Sequence, residues 1–241
     1  MYQWGVFFST DGPLFEGMAY IINIIYVSVL WILFSIPVIT IGASSTALYY
    51  TVTKVIRHGR SYIFREFWQS FKSNLKQSTA VWLIYLVMMG ILLVDIRVMG
   101  AFGTAVSQTL QFVFIVGICM VSAVMVYALA YIARFTQDVR HILTNSVLMA
   151  IRHLPKTLLL VVVLAAAVLG CYLFGLGIVF IPAVAALVDS LILESIFVQY
   201  MSKEDREKEA LRNHPEQYEY YTEKIKISTE GSFIGANRSI E

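Results

Sequence analysis

The sequence predicts an all-α polytopic membrane protein, a bundle of five transmembrane helices with amphipathic cytoplasmic interfacial helices. Three observations predict it. The chain of 241 residues is 58% hydrophobic and only 14% charged, where soluble domains carry about a quarter charged residues. Its apolar residues collect in runs near the ~20 residues that cross a hydrocarbon core of about 30 Å. All of its 18 Lys and Arg residues except Arg97 fall on one side of the topology that these runs dictate, as the positive-inside rule requires of a cytoplasmic face.

The first span covers about residues 17–36, with Asn23 as its strongly polar residue and Pro37 at its exit. It is too long for a signal-peptide core, and residues 1–17 hold no Lys or Arg, so it reads as a retained helix. Further spans follow at about 78–94, 111–133, 157–174 and, after the Gly175-Leu176-Gly177 turn, 176–197. Residues 1–200 therefore form the transmembrane domain and 201–241 a charged cytoplasmic tail. Basic residues are concentrated in 42–77, 134–156 and the tail, which puts the N-terminus outside and the C-terminus in the cytoplasm.

Pro37 followed by the small residues Gly42 to Ala47 predicts a bend and then a tightly packed helix; a break lining a polar cavity is the other reading. From 61 to 76, Ile63, Phe64, Phe67, Trp68, Phe71 and Leu75 alternate with basic residues at helical spacing, the pattern of a helix lying in the membrane interface. Residues 139–154 repeat this more weakly. Each stretch runs into a span, which suggests a duplicated unit.

No phosphate loop, HExxH or GxSxG motif occurs. The expectation is a protein that is not an enzyme and that uses no cofactor and no metal. Cys119 and Cys171 lie within spans as inert thiols, and the basic clusters are explained by topology rather than nucleic acid. The candidate intramembrane polar site is Asp189, Glu194 and Asn23. Asp189 lies about 13 residues into the fifth span, and a charge at mid-helix costs about 2.5–3.5 kcal/mol. An ion pair with Arg134 or Arg57 is the simpler reading; lining a solute or proton path is the functional one. Glu194, five residues on, points to a different face. The small residues Ala166 and Gly170, and Ala186 and Ser190, predict close packing of spans four and five, with Pro182 kinking the latter.

Two stretches carry a family resemblance: Leu33-Phe-Ser-Ile-Pro-Val-Ile-Thr-Ile-Gly42, with Ala47-Leu-Tyr49 after it, and Arg65-Glu-Phe-Trp-Gln-Ser-Phe-Lys-Ser-Asn-Leu-Lys-Gln77. Over about residues 30–85 the chain resembles the YesL-like family, a bacterial integral membrane family catalogued as domain of unknown function 624. The resemblance implies a bacterial cytoplasmic membrane and a role near sugar import. The expected function is accordingly a non-enzymatic accessory or regulatory partner of a carbohydrate uptake system. The lipid bilayer and ABC transporter permease subunits would be its partners, and Phe64, Phe67, Trp68, Phe71 and Lys72 its docking surface. The alternative is a small-solute transporter or exporter in its own right, using the carboxylate at membrane depth.

Overall fold

Helices account for nearly all of residues 13–56, 62–135 and 137–200, which the computed structural model describes. They are α1 (Pro13–Ser35), α2 (Ile41–Lys54), α3 (Ile63–Phe102), α4 (Ala105–Arg134), α5 (Val139–Arg152), α6 (Leu154–Leu173) and α7 (Ile181–Tyr200), with 3-10 turns at Val38–Thr40 and Gly175–Val179. No strand occurs among the described residues. By compactness the chain divides into two units, Met1–Leu193 and Glu194–Glu241. The predicted tail, 201–241, lies outside the described residues.

Five helices, α1, α3, α4, α6 and α7, are long and apolar enough to cross a membrane. Their outer faces show why the chain needs lipid. Val87, Ile91, Val94 and Val98 on α3 follow one another at helical spacing, and all are exposed, as are Phe112 and Val116 on α4 and Leu158, Val162 and Leu169 on α6. Water does not tolerate apolar faces this continuous; a bilayer makes them the solvated surface. The protein is a multi-pass membrane protein.

One core cluster of the first unit is built by α1, α2, the start of α3 and the start of α7. Val27, Ala43, Ala47, Val52, Phe67 and Ala183 are fully buried within it. The bend at Pro37 leaves carbonyls at the end of α1 without helical donors. Thr40 supplies one, its Oγ1 donating within 2.8 Å of both Phe34 O and Pro37 O, and Trp82 Nε1 donates to Val38 O at 2.8 Å. The predicted tightly packed helix is α2, about 21 Å long and too short to span. Its close approach to α3 depends on Gly42: a Cβ there would lie 2.6 Å from Trp82 Cβ and 2.7 Å from Ser78 O. The buried hydroxyls of α2 mostly bond back to its own carbonyls, Thr46 to Gly42 O, Thr51 to Ala47 O and Thr53 to Tyr49 O. Thr46 also meets Ser78 Oγ across the interface at 2.9 Å.

The amphipathic stretch 61–76 is helical from Ile63, but it does not form a separate element. It continues without a break into the second span as the 40-residue α3, about 60 Å long and twice the hydrocarbon thickness. Nothing between Leu75 and Ser78 interrupts it, whereas the corresponding junction at 152–155 breaks. There Pro155 lacks an amide proton and sits in the first turn of α6, where none is needed. The two halves of the suggested repeat thus differ at their junctions. Pro182 likewise occupies the first turn of α7 rather than a kink within it.

At the other end of α3, Gly103 adopts φ +62° and closes the helix, and Thr104 starts α4 with a reciprocal capping box to Ser107. The α4–α5 junction is tied by Tyr131, whose hydroxyl donates to Gln137 Oε1 at 3.1 Å and accepts from Asn145 Nδ2 at 3.1 Å. Gln77 of α3 joins it by donating to Gln137 O.

Candidate functional site

Between the spans lies a cavity of about 480 Å3, within the 300–1,000 Å3 range of small-molecule sites. Every spanning helix contributes to it: Trp31 from α1, Trp82 and Tyr85 from α3, Met125 and Leu129 from α4, Leu164 and Cys171 from α6, Pro182 and Asp189 from α7. The short helix α2 adds Ser45, Leu48 and Tyr49. Of the two readings of the segment after Pro37, the bend followed by a tightly packed helix is the one seen; the residues of the break itself, 36–40, are not among the lining residues, and the lining is mostly aromatic and aliphatic.

The small residues Ala166, Gly170, Ala186 and Ser190 predicted a tight antiparallel pair of α6 and α7, which the 3-10 turn Gly175–Val179 joins. At Gly170 the approach is close, since a Cβ there would lie 3.0 Å from Ile181 Cδ1. Ala186 and Ser190 are buried. Ser190 donates to its own helix at Leu187 O, 2.7 Å away, and the amide of Ala183 donates to Ser28 Oγ on α1 at 3.3 Å. That last bond satisfies one of the amides that a helix start leaves open.

Asp189 is the ionisable carboxylate of the cavity wall. It is only 9% exposed, and its Oδ1 is buried with no hydrogen-bond partner among the described residues. The expected ion pair with Arg134 is not formed, and Arg57, the other expected partner, lies outside the described residues. A buried unpaired carboxylate oxygen is costly. Asn23 is half-buried on α1 and is not among the lining residues, and Glu194, in the second unit, is half-buried. What sequence reasoning missed were the aromatic walls, Trp31, Tyr49, Trp82 and Tyr85, whose convergence no local pattern announces.

The predicted docking surface divides in two. Phe67 and Phe71 are buried at 0% and 8% exposure, packed on Phe34 with ring centroids 5.6 and 5.1 Å away. Phe64 and Trp68 remain 50% and 43% exposed, and Lys72 is exposed beside them. Trp68 is stacked on Phe71, its ring 5.9 Å away at 16°.

Five apolar spans, with a cavity lined by residues from each, define a multi-pass helical membrane protein. One family match falls in the first part of the chain: the family described as "Protein of unknown function, DUF624" matches residues 24–96. The matched residues run from within α1 to near the end of α3 and contain both stretches that carry the YesL-like resemblance, which is consistent with it. No curated protein and no solved structure matches the chain.

Proposed function

We propose that the protein is a non-enzymatic membrane protein that binds a small solute inside the bilayer and moves it across, with Asp189 as the solute-facing group. One observation supports this above the others: a buried carboxylate oxygen without a partner, on the wall of a cavity of small-molecule size. A structural carboxylate would be expected to carry an ion pair or a full set of hydrogen bonds. The reading puts a solute carrier ahead of an accessory protein. It is tested with purified protein in liposomes and labelled monosaccharides, disaccharides and organic amines. The wild type should accumulate at least one of them above empty liposomes, and Asp189→Asn should abolish the uptake. A wild type that moves none of the panel overturns it.

A second reading is favoured by a separate observation, the exposed Phe64, Trp68 and Lys72 on the basic half of α3. Such a surface suits docking to another membrane protein, and the YesL-like resemblance makes ABC permease subunits of a carbohydrate uptake system the partners to look for. The basic segments would then face a bacterial cytoplasm, with the N-terminus outside. Purification from native membranes should recover permease subunits with the wild type and lose them when Phe64 and Trp68 become Ser, at equal membrane levels.

A further inference from the structure

The chemistry of the cavity wall narrows the solute. Among the described lining residues there is one carboxylate, Asp189, and no Lys, Arg or His. An anion entering this space would find no cationic side chain among these residues. The other polar groups are largely committed already. Ser45 accepts from Trp31 Nε1 at 3.0 Å, Trp82 Nε1 donates to Val38 O at 2.8 Å, and Tyr85 and Ser122 share a contact of 3.4 Å. A sugar brings many hydroxyls, each of which needs a partner once out of water, and these walls offer too few. A tightly held metal ion needs several ligands, and no group of three His, Cys, Asp or Glu side chains capable of holding one occurs among the described residues.

The wall instead offers an unpartnered carboxylate oxygen, aromatic rings and aliphatic surface. Trp is the strongest side-chain partner for a cation, followed by Tyr and Phe. Trp31, Tyr49, Trp82 and Tyr85 all line the cavity, with the rings of Trp82 and Tyr85 stacked at 5.3 Å. Resting on the reading that the cavity holds a solute, we propose that the solute is a monovalent organic cation, a protonated or quaternary amine with an apolar body. Asp189 is its counter-ion and the Trp and Tyr rings enclose its charged head and carbon frame. The volume admits a body of this kind, and burial of its apolar part supplies affinity that one ion pair alone does not.

The test uses the full chain in lipid nanodiscs and two probes of the same shape: benzyltrimethylammonium, which carries a permanent charge, and neopentylbenzene, its uncharged isostere. Binding is followed by calorimetry for the cation and by competition against it for the isostere. The cation should bind saturably and the isostere at least about tenfold more weakly, a difference of about 1.4 kcal/mol. Asp189→Asn should weaken the cation by at least about tenfold and leave the isostere unchanged, while Asp189→Glu should retain part of the preference. Thermal unfolding of each variant establishes that it is folded. Equal affinity for the two probes, unchanged cation affinity in a folded Asp189→Asn variant, or no saturable binding overturns the assignment. If another solute class is transported in an Asp189-dependent way, the cation assignment falls and the carrier reading stands. If nothing is transported or bound, both fall.

Discussion

Replacing Gly42 by Ala tests the α2–α3 interface, on which the cavity's inner wall rests. The added Cβ would sit 2.6 Å from Trp82 Cβ and 2.7 Å from Ser78 O. Carbon atoms in contact prefer about 3.5–4.0 Å, so the helices must part by about 1 Å. Both obstructing atoms belong to the backbone or the root of a side chain, and no rotamer change removes them. Overpacking of this kind costs about 1–3 kcal/mol. Parting also stretches the 2.9 Å contact between Thr46 and Ser78, a further loss of about 1 kcal/mol. Against this, Ala in place of Gly favours the helix by about 0.8–1.0 kcal/mol. The net expectation is a loss of about 1–3 kcal/mol. It would be read from thermal or denaturant unfolding in mixed micelles, and Gly42→Val should be worse. Stability at or above wild type for both variants would refute the close approach, and with it the register between α2 and α3.

Phe67→Ala should cost about 3–5 kcal/mol, as for a fully buried aromatic ring, whereas Phe64→Ser should stay within about 0.5 kcal/mol in the same unfolding assay; equal losses would contradict the division of that face into buried and exposed halves. Removing the Thr46 hydroxyl as Thr46→Val and the Ser78 hydroxyl as Ser78→Ala should give a double-mutant coupling of about 0.5–1.5 kcal/mol, and a coupling near zero would mean that the two do not meet. At His153, partial burial, then the positive charges of Lys156 and Arg152, hold the imidazole below its ordinary 6.5. The folded protein therefore favours the neutral ring. That contribution to stability is present above about pH 6.5 and is lost as pH falls through the lowered folded value. A ring-proton NMR titration checks it, with a midpoint at or above 6.5 as the contrary result.

Most of the fold was legible because lipid imposes a simple rule. Each span must hide its backbone and show apolar side chains, so length and hydropathy locate all five. The end of α1 at Ser35 and the packing of α2 follow from Pro37 and from the small residues Gly42, Ala43 and Ala47. Continuity between the amphipathic stretch and the second span was not legible, because amphipathic periodicity is the same for a helix lying on a membrane and for one extending out of it. Only the absence of a breaker between Leu75 and Ser78, set against Pro155 at the second junction, hints at the difference. Asp189 stood out from its cost in lipid alone. Its surroundings did not, since Trp31, Tyr49, Trp82 and Tyr85 are spread over three helices and converge only in the assembled bundle.

Whether the space beside Asp189 is a solute chamber or is filled by lipid decides between a carrier and a purely structural role for that carboxylate. Cys171 lines the same cavity and serves as a reporter once Cys119 is replaced by Ala. In the reconstituted protein, a small water-soluble cationic thiol reagent should modify Cys171, and should do so faster than an anionic reagent of equal size. Asp189→Asn should erase that preference. Modification by a lipid-soluble reagent alone, with the water-soluble cation inert, would contradict the account.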